Sequence, residues 1–229
     1  MPVLRSLEIR RLGLTPYSDA LELQKRLVEQ RRAGEVDDVL LLVEHPPVLT
    51  LGVRGDGGRS HIIASDAELS ARHIDVFETG RGGDITYHGP GQIVGYPIID
   101  LDPDRRDVHK YVRDIEEVLI RAAGDYDITA GRIPGLTGVW VGDEKLAAIG
   151  VRIQRWVTSH GFALNHTTDL SHFTLIVPCG ITDRGVTSLE RLGCTASRFE
   201  VEERIAAHFA EVFGRELRTV PAPAMETKA

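Results

Sequence analysis

The stretch GVWVGDEKLAAIGVRIQRWVTSHGFALN, residues 138–165, decides the fold. It holds three extended segments in quick succession: Gly138 to Val141, Lys145 to Ile153 and Val157 to Leu164. The turn Gly142-Asp143 joins the first two. Strands joined by connections this short run antiparallel, so the stretch predicts a meander. Moving outward, Asp107 to Ala123 reads as a helix with Val108, Val112, Ile115, Leu119 and Ala122 on one face. On the other side, Ser197-Arg198-Phe199-Glu200 is a capping box that opens a last helix ending at Phe213. Further upstream, Ser6 to Arg11, Val39 to Val43, Val48 to Leu51, Ile74 to Glu78 and Ile93 to Ile99 read as strands. Thr15 is a candidate N-cap, with Pro16 at the first position of a helix that runs to Gly34. Strands clustered between helices, without regular βαβα alternation, predict an α+β fold: a mixed, largely antiparallel sheet flanked by helices. Residues 1–218 are expected to form one domain, with 52–60 a mobile Gly- and Arg-rich loop and 219–229 a frayed tail.

Composition narrows the function. At 229 residues and 42% hydrophobic, the chain can bury a core that needs no staples. Its two cysteines, Cys179 and Cys194, are too few for a disulfide framework, and no C-x-x-C occurs. A net charge of −7 argues against general nucleic-acid binding. No apolar run approaches membrane-spanning length and no signal peptide opens the chain, so a cytoplasmic location is expected. Only four lysines occur: Lys25, Lys110, Lys145 and Lys228. In a chain that otherwise uses arginine, Lys145 stands out because strand alternation would set it on the face of Ala147 and Ile149, toward a pocket.

Three segments carry candidate chemistry. Residues 80–92, GRGGDITYHGPGQ, hold five glycines in thirteen positions, more than a turn requires, together with Arg81, Asp84, Thr86, Tyr87 and His88. Glycine lets backbone amides approach a ligand closely. The stretch is neither a P-loop nor a dinucleotide fingerprint. Pro178-Cys179-Gly180-Ile181 follows the apolar, extended-looking Leu175-Ile176-Val177 and sets a thiol where a cleft could use it; a small buried cysteine is the plainer reading. Lys145 likewise has a plain reading, as an exposed residue after a hairpin turn. Cys194 reads as structural. The nine histidines show no metal-ligand spacing, and no metal is expected.

Together, RGGDITYHGPGQ at 81–92, GVWVGDEKLAAIGV at 138–151, HGFALN at 160–165 and PCGI at 178–181 resemble the lipoyl(octanoyl) transferases, the octanoyl-carrier-protein:protein N-octanoyltransferases. The resemblance implies a fold similar to the catalytic domains of biotin and lipoate protein ligases. It implies that Cys179 forms an acyl-thioester and that Lys145 lowers the thiol's pKa and serves as acid and base. It also implies substrate contacts from Arg81, Gly82, Gly83, Asp84, Ile85, Thr86, Tyr87 and His88, from Ala148, Ile149 and Gly150, and from Gly161, Phe162 and Ala163. The implied donor is octanoyl-acyl carrier protein. The implied acceptors are lipoyl domains of 2-oxoacid dehydrogenase complexes and the glycine cleavage H protein. No cofactor, nucleic acid or membrane partner is implied. Three other readings use the same residues: an ATP-dependent lipoate or biotin ligase, a hydrolase pairing Cys179 with His88, and an acyl-binding protein without catalysis. Because carrier proteins are acidic and the chain is too, a local basic surface at Arg54, Arg59, Arg152 and Arg155 is expected beside the pocket mouth.

Overall fold

The computed structural model describes residues 5–54, 59–177 and 184–218. Cys179 and the flanking 178–183, the loop centre 55–58 and the tail 219–229 lie outside the described residues. The sequence stretch that predicts a meander forms one: β7 (Val139–Val141), β8 (Glu144–Gln154) and β9 (Val157–Asn165) pair antiparallel in that order. β9 then pairs antiparallel with β6 (Gln92–Ile98), and β6 with β2 (Asp38–Glu44). Beyond β2 the sheet turns parallel, through β1 (Arg5–Leu14) and β11 (Arg215–Arg218). At the other edge the short β10 (Gly185–Val186) runs parallel to β8. A second, three-stranded sheet has β3 (Val48–Leu51) between β4 (Asp75–Glu78) and β5 (Thr86–His88).

Alternation along β2 shows why its sequence is apolar throughout. Leu40 and Leu42 join a core with α3 (Val108–Gly124) and α4 (Arg198–Phe213), while Val39, Leu41 and Val43 pack against α1 (Tyr17–Ala33). A strand covered on both faces needs hydrophobic residues at both parities. The caps follow their local chemistry. Asp107 accepts from the Lys110 amide, and Ser197 and Glu200 make the expected reciprocal box. Thr15 does not cap α1; Pro16 takes that position, and the Thr15 hydroxyl donates to Leu12 O at 3.1 Å.

Four expectations need correction. Val108 is not part of the core face of α3: it is 45% exposed, in the first turn, where the helix overhangs a cavity. Leu175 closes a 3₁₀ turn, Leu170–Leu175, so extended backbone starts only at Ile176. Residues 52–54 are not a free loop; Val53 and Arg54 donate their amides to Arg81 O and Gly83 O at 3.1 and 3.0 Å. The short α2 (Asp66–Ala71), β5, β10 and β11 were absent from the sequence reading. Each spans six residues or fewer, too short for periodicity to show.

The parallel edge is held by one buried carboxylate. Asp38 opens β2 and is 1% exposed. Its Oδ1 accepts from Arg31 Nε on α1 at 2.7 Å and from the Asp100 amide at 3.0 Å; its Oδ2 accepts from Arg215 Nε on β11 at 2.8 Å. Removing one partner from such a buried set costs roughly 3–5 kcal/mol, because the other charges stay buried. Asp38→Ala is therefore expected to lower the urea midpoint by that equivalent without a change in m-value. A shift under about 1 kcal/mol would assign Asp38 to surface-like electrostatics instead.

Candidate active site

The Gly-rich stretch lies along an open sheet edge. Past Ala147, β8 has lost its partner β7, and Gly82 takes the place of a strand by donating its amide to Val151 O at 2.9 Å. On its other side the stretch accepts the Val53 and Arg54 amides. Two glycines make the approach feasible. A Cβ on Gly52 would sit 2.2 Å from Gly83 O, and one on Gly150 would sit 2.7 Å from Gly82 O.

Arg81 is 7% exposed and turned inward. Its Nε and Nη2 donate to Thr50 Oγ1 at 3.2 and 2.9 Å. From there a buried polar chain crosses the site. His88 Nε2 meets Thr50 Oγ1 at 3.2 Å, and His88 Nδ1 meets Gln92 Oε1 at 2.8 Å. Gln92 Nε2 donates to Tyr87 O and to Asn165 Oδ1, and Asn165 Nδ2 donates to Thr187 O. The chain fixes the tautomer. Gln92 uses its amide nitrogen elsewhere, so its oxygen accepts from His88 Nδ1–H, and His88 Nε2 accepts from the Thr50 hydroxyl. Both ring nitrogens are thereby engaged, which disfavours His88 as a base for a hydrolase.

Three histidines here are held neutral by burial. His45 is pushed down to about 4, His88 to about 3 and His160 to about 4, with Arg81 adding to the effect on His88 and His160. Burial also pushes the Tyr17 hydroxyl up to about 12, against the opposing pull of Arg81. His160 carries a left-handed backbone, φ 54°, and its Nδ1 has no hydrogen-bond partner among the described residues.

These groups surround a cavity of about 460 Å³. Arg81 to Thr86 and His88 line it from the Gly-rich stretch; Lys145 and Ala148 to Val151 line it from β8; Gly161 to Ala163 line it from β9. Tyr87 does not. By strand alternation it turns to the opposite side, where its hydroxyl meets His172 Nδ1 at 2.7 Å and its ring packs on Phe173. Lys145 reaches the cavity by a route different from the expected one. A bulge opposite Val139 and Trp140 shifts its parity, so it lines the cavity without Ala147. Its Nζ lies 4.8 Å from the centre of the Trp140 ring, and its carbonyl accepts from the Thr187 amide at 3.0 Å.

Sequence reading missed Tyr17, Val94, Tyr96, Val112, Leu136 and Asn165 as lining residues. Asn165 stood inside a quoted motif; the others lie on elements whose cavity-facing side only the packing defines. Of the expected basic residues, Arg54 lines the cavity, whereas Arg59 is paired with Glu78 at 3.2 Å. Cys194 is buried in the α3–α4 core.

Two outcomes are expected. Stability should fall as pH drops from about 6.5 toward about 4, because the unfolded chain takes up protons on His45, His88 and His160 that the folded chain refuses. Glu202, raised by burial, acts in the opposite sense but is one group against three. Calorimetric Tm values at stepped pH test this; a flat Tm across that window would refute it. Separately, Gly150→Ala should displace Gly82 and weaken binding of a ligand in the cavity by an order of magnitude or more while the protein stays folded, the cost of overpacking being about 1–3 kcal/mol.

Comparisons with known proteins agree with this geometry. The family described as Lipoyl protein ligase A/B catalytic domain matches residues 16–210. An octanoyltransferase of Solibacter usitatus is 54% identical over 214 residues, covering 93% of this chain and 96% of the relative. One from Rubrobacter xylanophilus is 53% identical, covering 91% and 95%. Among solved structures, a T. acidophilum protein assigned as a lipoate protein ligase, with bound lipoic acid, superposes with a TM-score of 0.75 at 16% identity, covering 93% and 88%. The α+β architecture is thus that of the lipoate ligases, and the chain itself belongs to the octanoyltransferases of the lipoyl protein ligase A/B catalytic-domain family.

Proposed function

We propose that this acyltransferase moves an octanoyl group from acyl carrier protein to a lysine of a lipoyl domain through a thioester on Cys179. The observation that carries the reading is convergence. The Gly-rich stretch, about 60 residues upstream, meets Lys145 and the segments 148–150 and 161–163 of the β8–β9 hairpin around one cavity. Its volume lies within the roughly 300–1,000 Å³ of small-molecule sites. Val94, Ala148, Ile149, Phe162 and Ala163 give it apolar wall. At about 0.8 kcal/mol per buried methylene, an eight-carbon chain gains several kcal/mol there.

The chemistry needs no external activation. The Cys179 thiolate attacks the donor thioester carbonyl, the tetrahedral intermediate collapses, and the carrier's thiolate leaves and takes the ammonium proton of Lys145, which becomes neutral. The lysine amine then attacks the new thioester, an amide forms, and Cys179 leaves as thiolate. A free thiol has a pKa near 8.5, and a neighbouring ammonium lowers it. Support for Lys145 in this role comes from the chain path: β10, which follows the Cys179 segment, pairs Val186 with Lys145. Neutral Lys145 then accepts the proton of the attacking amine.

The test is incubation with octanoyl-carrier protein and no ATP, followed by peptide mass spectrometry. A hydroxylamine-labile octanoyl adduct on Cys179 is expected, lost in Cys179→Ser and kept in Cys194→Ser. Turnover by folded Cys179→Ser would sink the covalent route, and a strict ATP requirement would favour a ligase. Lys145→Met should shift the pH midpoint of Cys179 alkylation up toward about 8.5; an unmoved midpoint would remove Lys145 from activation.

A further inference from the structure

Tyr87 and Asp84 belong to the same short motif; Tyr87 touches the polypeptide that runs into position 178, and Asp84 touches His61, whose backbone pairs with it. Tyr87 holds His172, within the 3₁₀ turn Leu170–Leu175, at 2.7 Å. Asp84 is 4% exposed, and its Oδ2 meets His61 Nδ1 at 2.7 Å, while its Oδ1 accepts the Ile85 amide at 2.8 Å. An ionised carboxylate only accepts, so the His61 proton is on Nδ1. The backbone around His61 forms a small ladder with the same run-in. His61 O accepts the Val177 amide at 2.8 Å, Ile62 bridges Ile176, and Leu175 O accepts the Ile63 and Ala64 amides at 2.8 and 3.2 Å.

The turn Arg59–His61, which carries one side of that ladder, is held by two ion pairs of different strength. One is Arg59 with Glu78, an exposed pair with side chains 62% and 77% accessible, which contributes little. The other is His61 with the buried Asp84, a charge-assisted bond in a protected setting. Of these two pairs the second is the firmer hold on the backbone that presents His61 O, and His61 O holds Val177, two residues before Cys179.

We propose that His61 and His172 are positioning residues: through Asp84 and Tyr87 they seat the run-in to residue 178 on the same Gly-rich stretch that frames the acyl cavity. The proposal rests on the reading of Cys179 as nucleophile. It gives Asp84 a task besides lining the cavity, and gives Tyr87, which turns away from the cavity, a task in place of substrate contact. Substrate engaging the Gly-rich stretch and placement of the nucleophile become one mechanical event.

The test combines hydrogen exchange with kinetics on the full chain. In His61→Ala, exchange of the peptide holding residues 175–177 should speed by at least about tenfold. The kcat for octanoyl transfer should fall by about tenfold or more while donor KM stays within about twofold. His61→Asn places an amide donor on Cγ, as Nδ1 is, and should restore both readouts. Tyr87→Phe should show the same pattern through His172, and it carries the test if His61→Ala does not fold. Unchanged exchange in His61→Ala overturns the proposal, as does faster exchange with unchanged kcat. Asn behaving like Ala overturns the hydrogen-bond basis. Turnover by Cys179→Ser defeats the covalent reading alone and leaves the exchange result standing.

Discussion

The bond from the Gly82 amide to Val151 O is the constraint on which the site depends. β8 is a long strand whose second half has, among the described residues, no strand partner on its outer side. Unpaired backbone there would be solvated or would recruit another chain. The Gly-rich stretch occupies the edge without being a strand, and it does so because glycines on both sides remove the Cβ atoms that would collide. Once Gly82 is placed, Arg81 turns into the protein, and Asp84 and Tyr87 reach His61 and His172. The cavity is the space left between this stretch, β8 and β9.

The polar groups buried beside the cavity are mostly uncharged. Burial holds His45, His88 and His160 neutral around the Arg81 guanidinium, and the Thr50–His88–Gln92–Asn165 chain satisfies donors and acceptors in sequence. A buried network of this kind is costly if half satisfied and rigid if complete. Its far end is Thr187, whose amide is bound by Lys145 O. A continuous line of hydrogen bonds thus joins the Gly-rich stretch to the strand that carries the lysine.

Much of the fold was legible in the sequence because its long elements have strong periods. The 138–165 meander, the α3 stripe and the Ser197 capping box were readable from local pattern alone. The segments with candidate chemistry were readable from composition: no ordinary turn holds the glycines of residues 80–92. What was not legible depended on breaks in local rules. The β8 bulge altered the face Lys145 shares, so alternation gave the right direction with the wrong companion, Ala147. Tyr87 belongs to the motif yet points away from the cavity, and only the geometry of β5 distinguishes it from Thr86 and His88. His61 had no signal at all, since its importance lies in a carboxylate 23 residues away.

The pairing of β1 with β11 has a consequence for how the protein is made. Arg5 lies opposite Arg215, so β1 waits for a strand synthesised long after it. Until then β1 offers a bare outer edge, and Asp38 lacks one of the guanidiniums that neutralise it. Contacts this distant in sequence slow folding. A nascent or truncated chain ending before residue 215 therefore carries both an open template for strand addition and an incompletely paired buried charge. Once present, β11 closes the gap with a strand in which Arg215, Glu216 and Arg218 are charged, a composition that discourages further strands from adding.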